Sequence, residues 1–286
     1  MIAPNVEQAR KEFLLVSSAR ESIIIIWRVG TGGTMQTIIR LPTPKKQKKG
    51  RSTDRPWITV KWPLPNKIYC SSRNNELVQW TVPKPPRGEG ETMKVIHDDH
   101  AGLLFSIATS VVDYINRNWE LPLEHVVWTT SQDRQLICYR IDGEETEIEK
   151  LAMYSTFGGV PECLARNDVN PYRVAVGTSG AILKIWDMTH TTDKLVSMQQ
   201  LTQKIHSRVT CVVWHPNNEN IVAFGTQEGR VGFFDLEDKS GVPKVMPHLF
   251  TKEVYKLQWA PLKDKSYALF ITSEGKLVTS RCGNSR

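Results

Sequence analysis

Residues 209–234 read VTCVVWHPNNENIVAFGTQEGRVGFF, and the turns inside this stretch decide the fold. Val209, Cys211 and Val213 alternate with Thr210, Val212 and Trp214 at the period of a strand, until His215-Pro216-Asn217-Asn218 turns the chain. An apolar run over 221–225 ends in the turn Gln227-Glu228-Gly229, and a third run covers 231–234. Three short strands joined by turn-forming residues therefore occupy about half of one repeating unit.

The unit recurs along the chain. Third strands end at Trp27 (SARESIIIIW), Trp80 (SRNNELVQW), Tyr139 (SQDRQLICY), Trp186 (SGAILKIW), Phe234 (TQEGRVGFF) and Ser280 (TSEGKLVTS). The intervals between them are 53, 59, 47, 48 and 46 residues. First strands fall in register as ITVKWPLP, VTCVVWHP and YKLQWAP, around Trp62, Trp214 and Trp259. Trp186-Asp187 and Phe234-Asp235 stand where the Trp-Asp dipeptide of a WD repeat belongs. A period in the forties with four strands per unit is the signature of a β-propeller. The fold expected is all-β, an incomplete WD-repeat β-propeller of four full blades plus two partial ones.

In chain order, the first repeat offers strands at 13–18, 23–27 and 36–41, with no strand before them. The second has 57–62, 67–72, 76–82 and 93–97; the third 103–110, 125–131, 135–141 and 149–155. The fourth has 160–166, 173–178, 182–188 and 195–200, and the fifth begins at 209 and closes with 242–248. The sixth, at 254–259, 267–272 and 277–281, lacks an outer strand. A propeller ring closes when its two ends supply complementary strands. Here they overlap, so the expectation is a fragment of a longer protein. At the turn between second and third strands stand Arg20, Asn74, Asp133, Gly180, Glu228 and Glu274. Only Asp133 matches the aspartate that a WD repeat bonds to a histidine upstream, for which His100 and His206 are placed. Stability should then rest on apolar strand faces and on aromatics such as Trp80 and Trp186.

Composition fits this picture. A chain of 286 residues, 40% hydrophobic with nine Trp, can bury a sizeable core, and no apolar run reaches the length of a membrane span. Residues 1–12 carry Glu7, Arg10, Lys11 and Glu12, unlike a secretory leader. Cys70, Cys138, Cys163, Cys211 and Cys282 are scattered without a Cys-x-x-Cys pair, and read as reduced thiols of an intracellular protein. A formal charge of +7 permits an anionic partner.

RPWITVKWP (55–63), SSRNNELVQW (71–80), SRVTCVVWHPNNENIVAFGTQEGRVGFFD (207–235) and KEVYKLQWAP (252–261) carry a closer likeness. These runs resemble successive stretches of the Gemin-five family, RNA-binding subunits of the survival-of-motor-neuron (SMN) complex. The likeness extends from about Leu14 to Pro261. In that family two seven-bladed propellers stand in tandem ahead of a helical region. The resemblance implies that residues 1–157 are last blades of a first propeller and 158–286 opening blades of a second. It also implies binding of small nuclear RNA precursors, through their uridine-rich Sm site and 7-methylguanosine cap. Other SMN-complex subunits would be partners, and the location would be cytoplasm and nuclear bodies. Trp57 corresponds to a tryptophan that stacks on a base or cap, Arg134 to a basic residue of the turn between second and third strands, and Tyr255 to a tyrosine facing the RNA. Gly102, Val160 and Thr202 depart from an expected arginine, phenylalanine and tryptophan.

The residues themselves speak more generally. Single-stranded RNA is held by aromatic faces stacking on bases and by cations along the phosphates. Trp57 follows a basic loop carrying Lys45, Lys46, Lys48, Lys49, Arg51 and Arg55, which are candidate phosphate contacts. Trp57 equally fits a core or inter-blade aromatic. The basic loop equally fits a solvated charge run. Arg134 equally fits a surface arginine paired with Asp133 or Glu144, and Tyr255 an aromatic packed between blades. His97-Asp98-Asp99-His100 is a His/Asp cluster in which a metal could be imagined, but no third ligand is evident. No catalytic constellation, cofactor loop, small-molecule site or membrane partner is expected. Two classes stand: an RNA-recognition module, and a WD-repeat scaffold for protein–protein contacts, which fold alone suggests.

Overall fold

The computed structural model describes residues 13–18, 23–29, 34–40, 58–64, 67–81, 93–111, 125–141, 148–170, 172–188, 197–247, 250–264 and 266–281. Among them are 22 strands and no helix. Three strands, β1 (Phe13–Ser18), β2 (Ile23–Val29) and β3 (Thr34–Arg40), form a first antiparallel sheet. The second contains β4 (Val60–Leu64), β5 (Lys67–Ser71), β6 (Leu77–Thr81) and β7 (Met93–His97). The third contains β8 (Leu104–Val111), β9 (His125–Ser131), β10 (Gln135–Ile141) and β11 (Ile148–Ser155). The fourth contains β12 (Pro161–Arg166), β13 (Arg173–Thr178), β14 (Leu183–Asp187) and β15 (Ser197–Leu201). The fifth contains β16 (Val209–His215), β17 (Asn218–Thr226), β18 (Val231–Asp235) and β19 (Lys244–Val245). The last contains β20 (Lys256–Pro261), β21 (Tyr267–Ser273) and β22 (Lys276–Arg281). Each sheet runs up and down in sequence order, so the described residues form four four-stranded blades and two three-stranded ones.

The hairpins follow from local chemistry. The turn between second and third strands needs a left-handed residue, and Asn75, Arg134, Ala181, Gly229 and Gly275 supply φ of 66°, 63°, 60°, 87° and 71°. Glycine and asparagine enter that region readily; arginine and alanine do not. One expected element is much shorter than its sequence suggested. The outer strand expected over 242–248 is reduced to Lys244–Val245, because Pro243 and Pro247 on either side have no N–H to give to a ladder. Only the Met246 N–H extends it, donating to the Val231 carbonyl at 2.9 Å.

The chain divides into two compact units, Met1–Tyr154 and Ser155–Arg286. In the first, Val16, Ile24 and Ile26 pack with Ile58, Trp62, Ile68, Cys70, Val78 and Trp80. Tyr69, on the opposite face of β5, joins Leu77, Leu104, Ile107, Val127 and Ile141. A strand covered by blades on both faces must be apolar without alternation, and β5 reads KIYCS with every residue after Lys67 buried. In the second unit, Ala175, Leu183 and Ile185 pack on Val209, Trp214, Val222, Phe224 and Phe234. Cys211, Ala223 and Val231 in turn pack on Val254, Leu257, Trp259, Leu269 and Ile271.

One joint repeats between the blades of the second unit. A methyl group on Gly177 would lie 2.5 Å from Val209 Cγ1 and 2.6 Å from Cys163 Sγ. On Gly225 it would lie 2.7 Å from both Cys211 Sγ and Val254 Cγ1. The thiols complete the joint: Cys163 donates to the Val209 carbonyl at 3.5 Å and Cys211 to the Val254 carbonyl at 3.6 Å. Thr210 Oγ1 donates to that same Val254 carbonyl at 2.7 Å. Burial pushes the Cys211 thiol up to about 12, so it stays protonated and able to donate. At the other end of the sheets, Arg173 pairs with Asp187 at 2.6 Å and donates to the Glu219 carbonyl and to Asn220 Oδ1, each at 3.0 Å.

Gly225→Ala is expected to lower unfolding free energy by about 1–3 kcal/mol, the range for overpacking a filled core. Combined with Cys211→Ala, which vacates the space the new methyl needs, the loss should be smaller than the sum of the two single losses. Chemical denaturation of the two single variants and the double variant measures the coupling.

Candidate nucleic-acid interface

The loops that enter first strands and the turns that leave second strands lie at one end of each sheet, and these carry the candidate residues. In the first unit, the β9–β10 turn is held by a buried polar chain. A carboxylate only accepts, so His100 Nδ1 donates to Asp133 Oδ2 at 3.0 Å, leaving Nε2 to accept from the Thr129 hydroxyl at 2.9 Å. Asp133 also accepts from the Ala101 and Gln135 amides, each at 2.9 Å. The expected histidine–aspartate bond of a WD repeat is therefore present in this blade. Burial holds His100 below the ordinary histidine value, partly offset by the Asp133 hydrogen bond.

Arg134 follows Asp133 in this turn, exposed and with φ at 63°. A left-handed conformation costs an ordinary residue about 1–2 kcal/mol, so the half-buried aspartate pins an arginine in a place that suits glycine better. Asp133, one expected ion-pair partner of Arg134, has its carboxylate occupied by His100 and the backbone. Gly102 packs against the same turn: a methyl group there would come within 2.9 Å of the Asp133 amide nitrogen. The arginine expected at that position has no room unless the turn shifts.

The His97–His100 cluster serves the fold. His97 stacks on Tyr139 at 3.9 Å between ring centroids, and the Tyr139 hydroxyl donates to Asp99, which Lys150 also meets at 3.0 Å. Both ring nitrogens of His97 are buried without a hydrogen-bond partner among the described residues. Desolvation, reinforced by His100, lowers its pKa to about 3. No group of three or more His, Cys, Asp or Glu side chains among the described residues is placed to hold a metal ion.

In the second unit, Tyr255 is 60% exposed. Val254 fills the Gly225 joint, and the Tyr255 N–H donates to the Thr272 carbonyl at 2.9 Å, so its backbone is fixed on both sides. By the repeat of the joint, Glu162, Thr210 and Tyr255 occupy equivalent positions at the head of the three first strands. Arg208 lies among them, 3.8 Å from Glu162 and 3.9 Å from Glu253. Val160 is half-buried and Thr202 is exposed. Phe157 is 74% exposed in the loop ahead of β12. Sequence reasoning passed over it, although the Phe157-Gly158-Gly159 run is a signal for an aromatic carried on a special turn.

Trp57, Lys45, Lys46, Lys48, Lys49, Arg51 and Arg55 lie outside the described residues. Arg134 belongs to the first unit and Tyr255 to the second.

A family model described as RIG second beta-propeller matches residues 167–284. Gem-associated protein 5 of Homo sapiens is 26% identical over 255 residues, covering 86% of this chain and 16% of the human protein. The chain is similar to Gem-associated protein 5 over most of its own length. The Mus musculus protein of that name is 25% identical over the same share of each chain, 86% and 16%. Component of gems protein 5 of Dictyostelium discoideum is 26% identical over 146 residues, half of this chain (50%) and 11% of that protein. The chain thus spans a small part of each of these relatives.

Arg134→Gly should raise unfolding free energy by up to about 1 kcal/mol by relieving the left-handed arginine, as read by urea denaturation. A result in the other direction would mean that contacts of the side chain outweigh its backbone strain. For His97 the folded pKa is lowered, so its contribution is complete above the ordinary histidine value of 6.5 and is lost as pH falls toward about 3. Within that window it should remove about 1.4 kcal/mol of stability per pH unit. Denaturation midpoints between pH 7 and 4.5 for wild type and His97→Leu test this. The variant should show the shallower decline, and equal slopes would contradict a buried neutral His97.

Proposed function

We propose that the chain is the RNA-binding propeller portion of an SMN-complex WD-repeat protein. It recognises the uridine-rich Sm site and the 7-methylguanosine cap of small nuclear RNA precursors for spliceosomal ribonucleoprotein assembly. Residues 1–157 correspond to the last blades of one propeller and 158–286 to the opening blades of a second. Other subunits of the complex are its protein partners, and cytoplasm and nuclear bodies its location. Catalysis, cofactors, metals and membrane contact have no part in this reading.

The observation that carries it is Tyr255. A tyrosine with 60% of its surface open is held by its backbone at the head of a first strand; exposed Lys256 is the next residue in sequence, and Arg208 lies 3.9 Å from Glu253, two residues before it. An immobilised aromatic with cations nearby is what a single strand needs: a face for a base and charges for its phosphates. The likeness to Gem-associated protein 5 supports the same reading. Trp57 would add a second stacking face, the basic loop with Lys45, Lys46, Lys48, Lys49, Arg51 and Arg55 would follow the phosphates, and Arg134 would contribute from its turn.

A scaffold role has its own observation. Met153 on β11 and Met198 on β15 are 54% and 50% exposed, and exposed methionines suit adaptable protein contacts. Ionic strength separates the two readings, because phosphate contacts release counterions and the logarithm of affinity then falls linearly with the logarithm of salt.

Tyr255→Ala should weaken binding of an oligouridine strand by about 1–3 kcal/mol, the value of one stacked base, while leaving the melting temperature unchanged. Fluorescence anisotropy over a salt series, beside a melting curve for each protein, provides both readouts. Unaltered affinity in the variant, or affinity that ignores salt, would favour the scaffold.

A further inference from the structure

Phe157 is the most exposed of the large hydrophobic side chains among the described residues, at 74%, yet its loop is firmly built. Gly158 and Gly159 follow with φ of 102° and 123°, conformations closed to ordinary side chains. The Gly158 carbonyl accepts from Thr178 Oγ1 at 3.1 Å. The Val160 N–H donates to Ser179 Oγ at 2.9 Å, and the Ser179 N–H returns a bond to the Val160 carbonyl at 2.9 Å. A methyl group on Gly180 would overlap the Gly158 carbonyl oxygen, so loop and turn are in direct backbone contact.

One face of the Phe157 ring is already engaged. The Lys184 ammonium lies 5.8 Å from its centroid and 6.0 Å from that of Trp186, and the residue is only 3% exposed. Cation–π attraction to two rings compensates part of the desolvation of this lysine. After Phe157 come Gly158 and Gly159, which lie against Ser179 and Gly180, and the Ile182 side chain packs on Gly158. What the loop offers is one flat, rigid aromatic face.

We infer that Phe157 is a stacking platform for a neutral nucleobase of single-stranded RNA, and that the Lys184 ammonium beneath it selects against a cationic base. The inference rests on the RNA-binding reading and adds to it a residue and a discrimination. Any base has a π-face to stack. A positively charged purine, such as the 7-methylguanine of a cap, would gain from the negative face of a free aromatic ring. Over Phe157 it meets a ring whose quadrupole already serves one cation, and whose cation repels it. A neutral uracil or adenine meets no such opposition, and its adjoining phosphates are drawn by the same charge.

The test uses the full chain with two probes, labelled oligouridine and 7-methylguanosine triphosphate. Phe157→Ala and Phe157→Leu should weaken oligouridine binding roughly 5- to 100-fold, and Phe157→Trp should retain it. Binding of the cap analogue should be the same in all four proteins; the melting temperature should fall slightly in the Ala and Leu variants, where Lys184 loses one of its two rings, so all four are compared at a temperature where each is folded. Lys184→Met should improve cap-analogue binding relative to oligouridine. If wild type binds oligouridine and both Ala and Leu variants bind it equally well, the platform is refuted while the RNA reading stands. Full affinity in Leu alone would refute stacking, since an apolar contact would then suffice. An equal loss for the cap analogue would refute the discrimination. If wild type binds neither probe, the RNA reading fails and the inference with it.

Discussion

The glycine near the end of a second strand, with the next blade's valine set against its bare α-carbon, is the contact on which the second unit depends. Gly177 and Gly225 admit Val209 and Val254 to distances that no side chain at the glycine would allow, and Cys163 and Cys211 close the space from the other side. Apolar burial between sheets is non-directional and would tolerate many small rotations of one blade on another. The joint is more selective, because the valine methyl and the cysteine sulfur together occupy the space that a side chain on the glycine would need. The thiol-to-carbonyl bonds and the Thr210 bond then fix the strand heads in the same register.

Precision at the joint passes to the surface through very few bonds. Tyr255 is the residue after Val254, so an aromatic open to solvent takes its position from a neighbour with no exposure at all. Phe157 is fixed differently, by a loop whose carbonyl and amide groups are bonded to the turn after β13. Arg134 is placed by a third device, an aspartate hydrogen-bonded to a buried histidine, which holds the turn while its arginine takes an unfavourable conformation. Three local solutions present side chains at the same end of their sheets. This is the division of labour expected of a scaffold that carries recognition on its loops.

Much of the architecture was legible because hairpin turns and the apolar ends of third strands recur at nearly constant spacing, and Trp80, Trp186 and Phe234 lie where the repeat puts them. The shortened fifth outer strand was not seen, since apolar Val242, Val245 and Met246 masked the two prolines that interrupt the ladder. The joint left a trace that went unread: Cys163 and Cys211 share a place in their first strands, and Gly177-Thr178 and Gly225-Thr226 share one in their second. Taken singly, the cysteines looked scattered; only pairing them with the glycines across a strand reveals their role. The candidate site was less legible. Exposure of a lone aromatic in a loop has no periodicity, so Phe157 was silent while Val160, three residues on, drew notice for what it lacked. Tyr255 admitted a packed reading because alternation with Leu257 continues one residue beyond the strand that starts at Lys256.

The joint also has a direction in time. Gly177 lies upstream of the valine it receives at 209, and Gly225 upstream of Val254, so each seat is made before the residue that fills it has been added by the ribosome. A blade emerging from the exit tunnel therefore carries an open notch on its leading face, and the following segment of chain is its natural occupant. Blades of this kind join in the order of their synthesis, nearest neighbour to nearest neighbour. Until Val254 has been added, Cys211 and Ala223 lack the apolar partners that cover them in the finished unit.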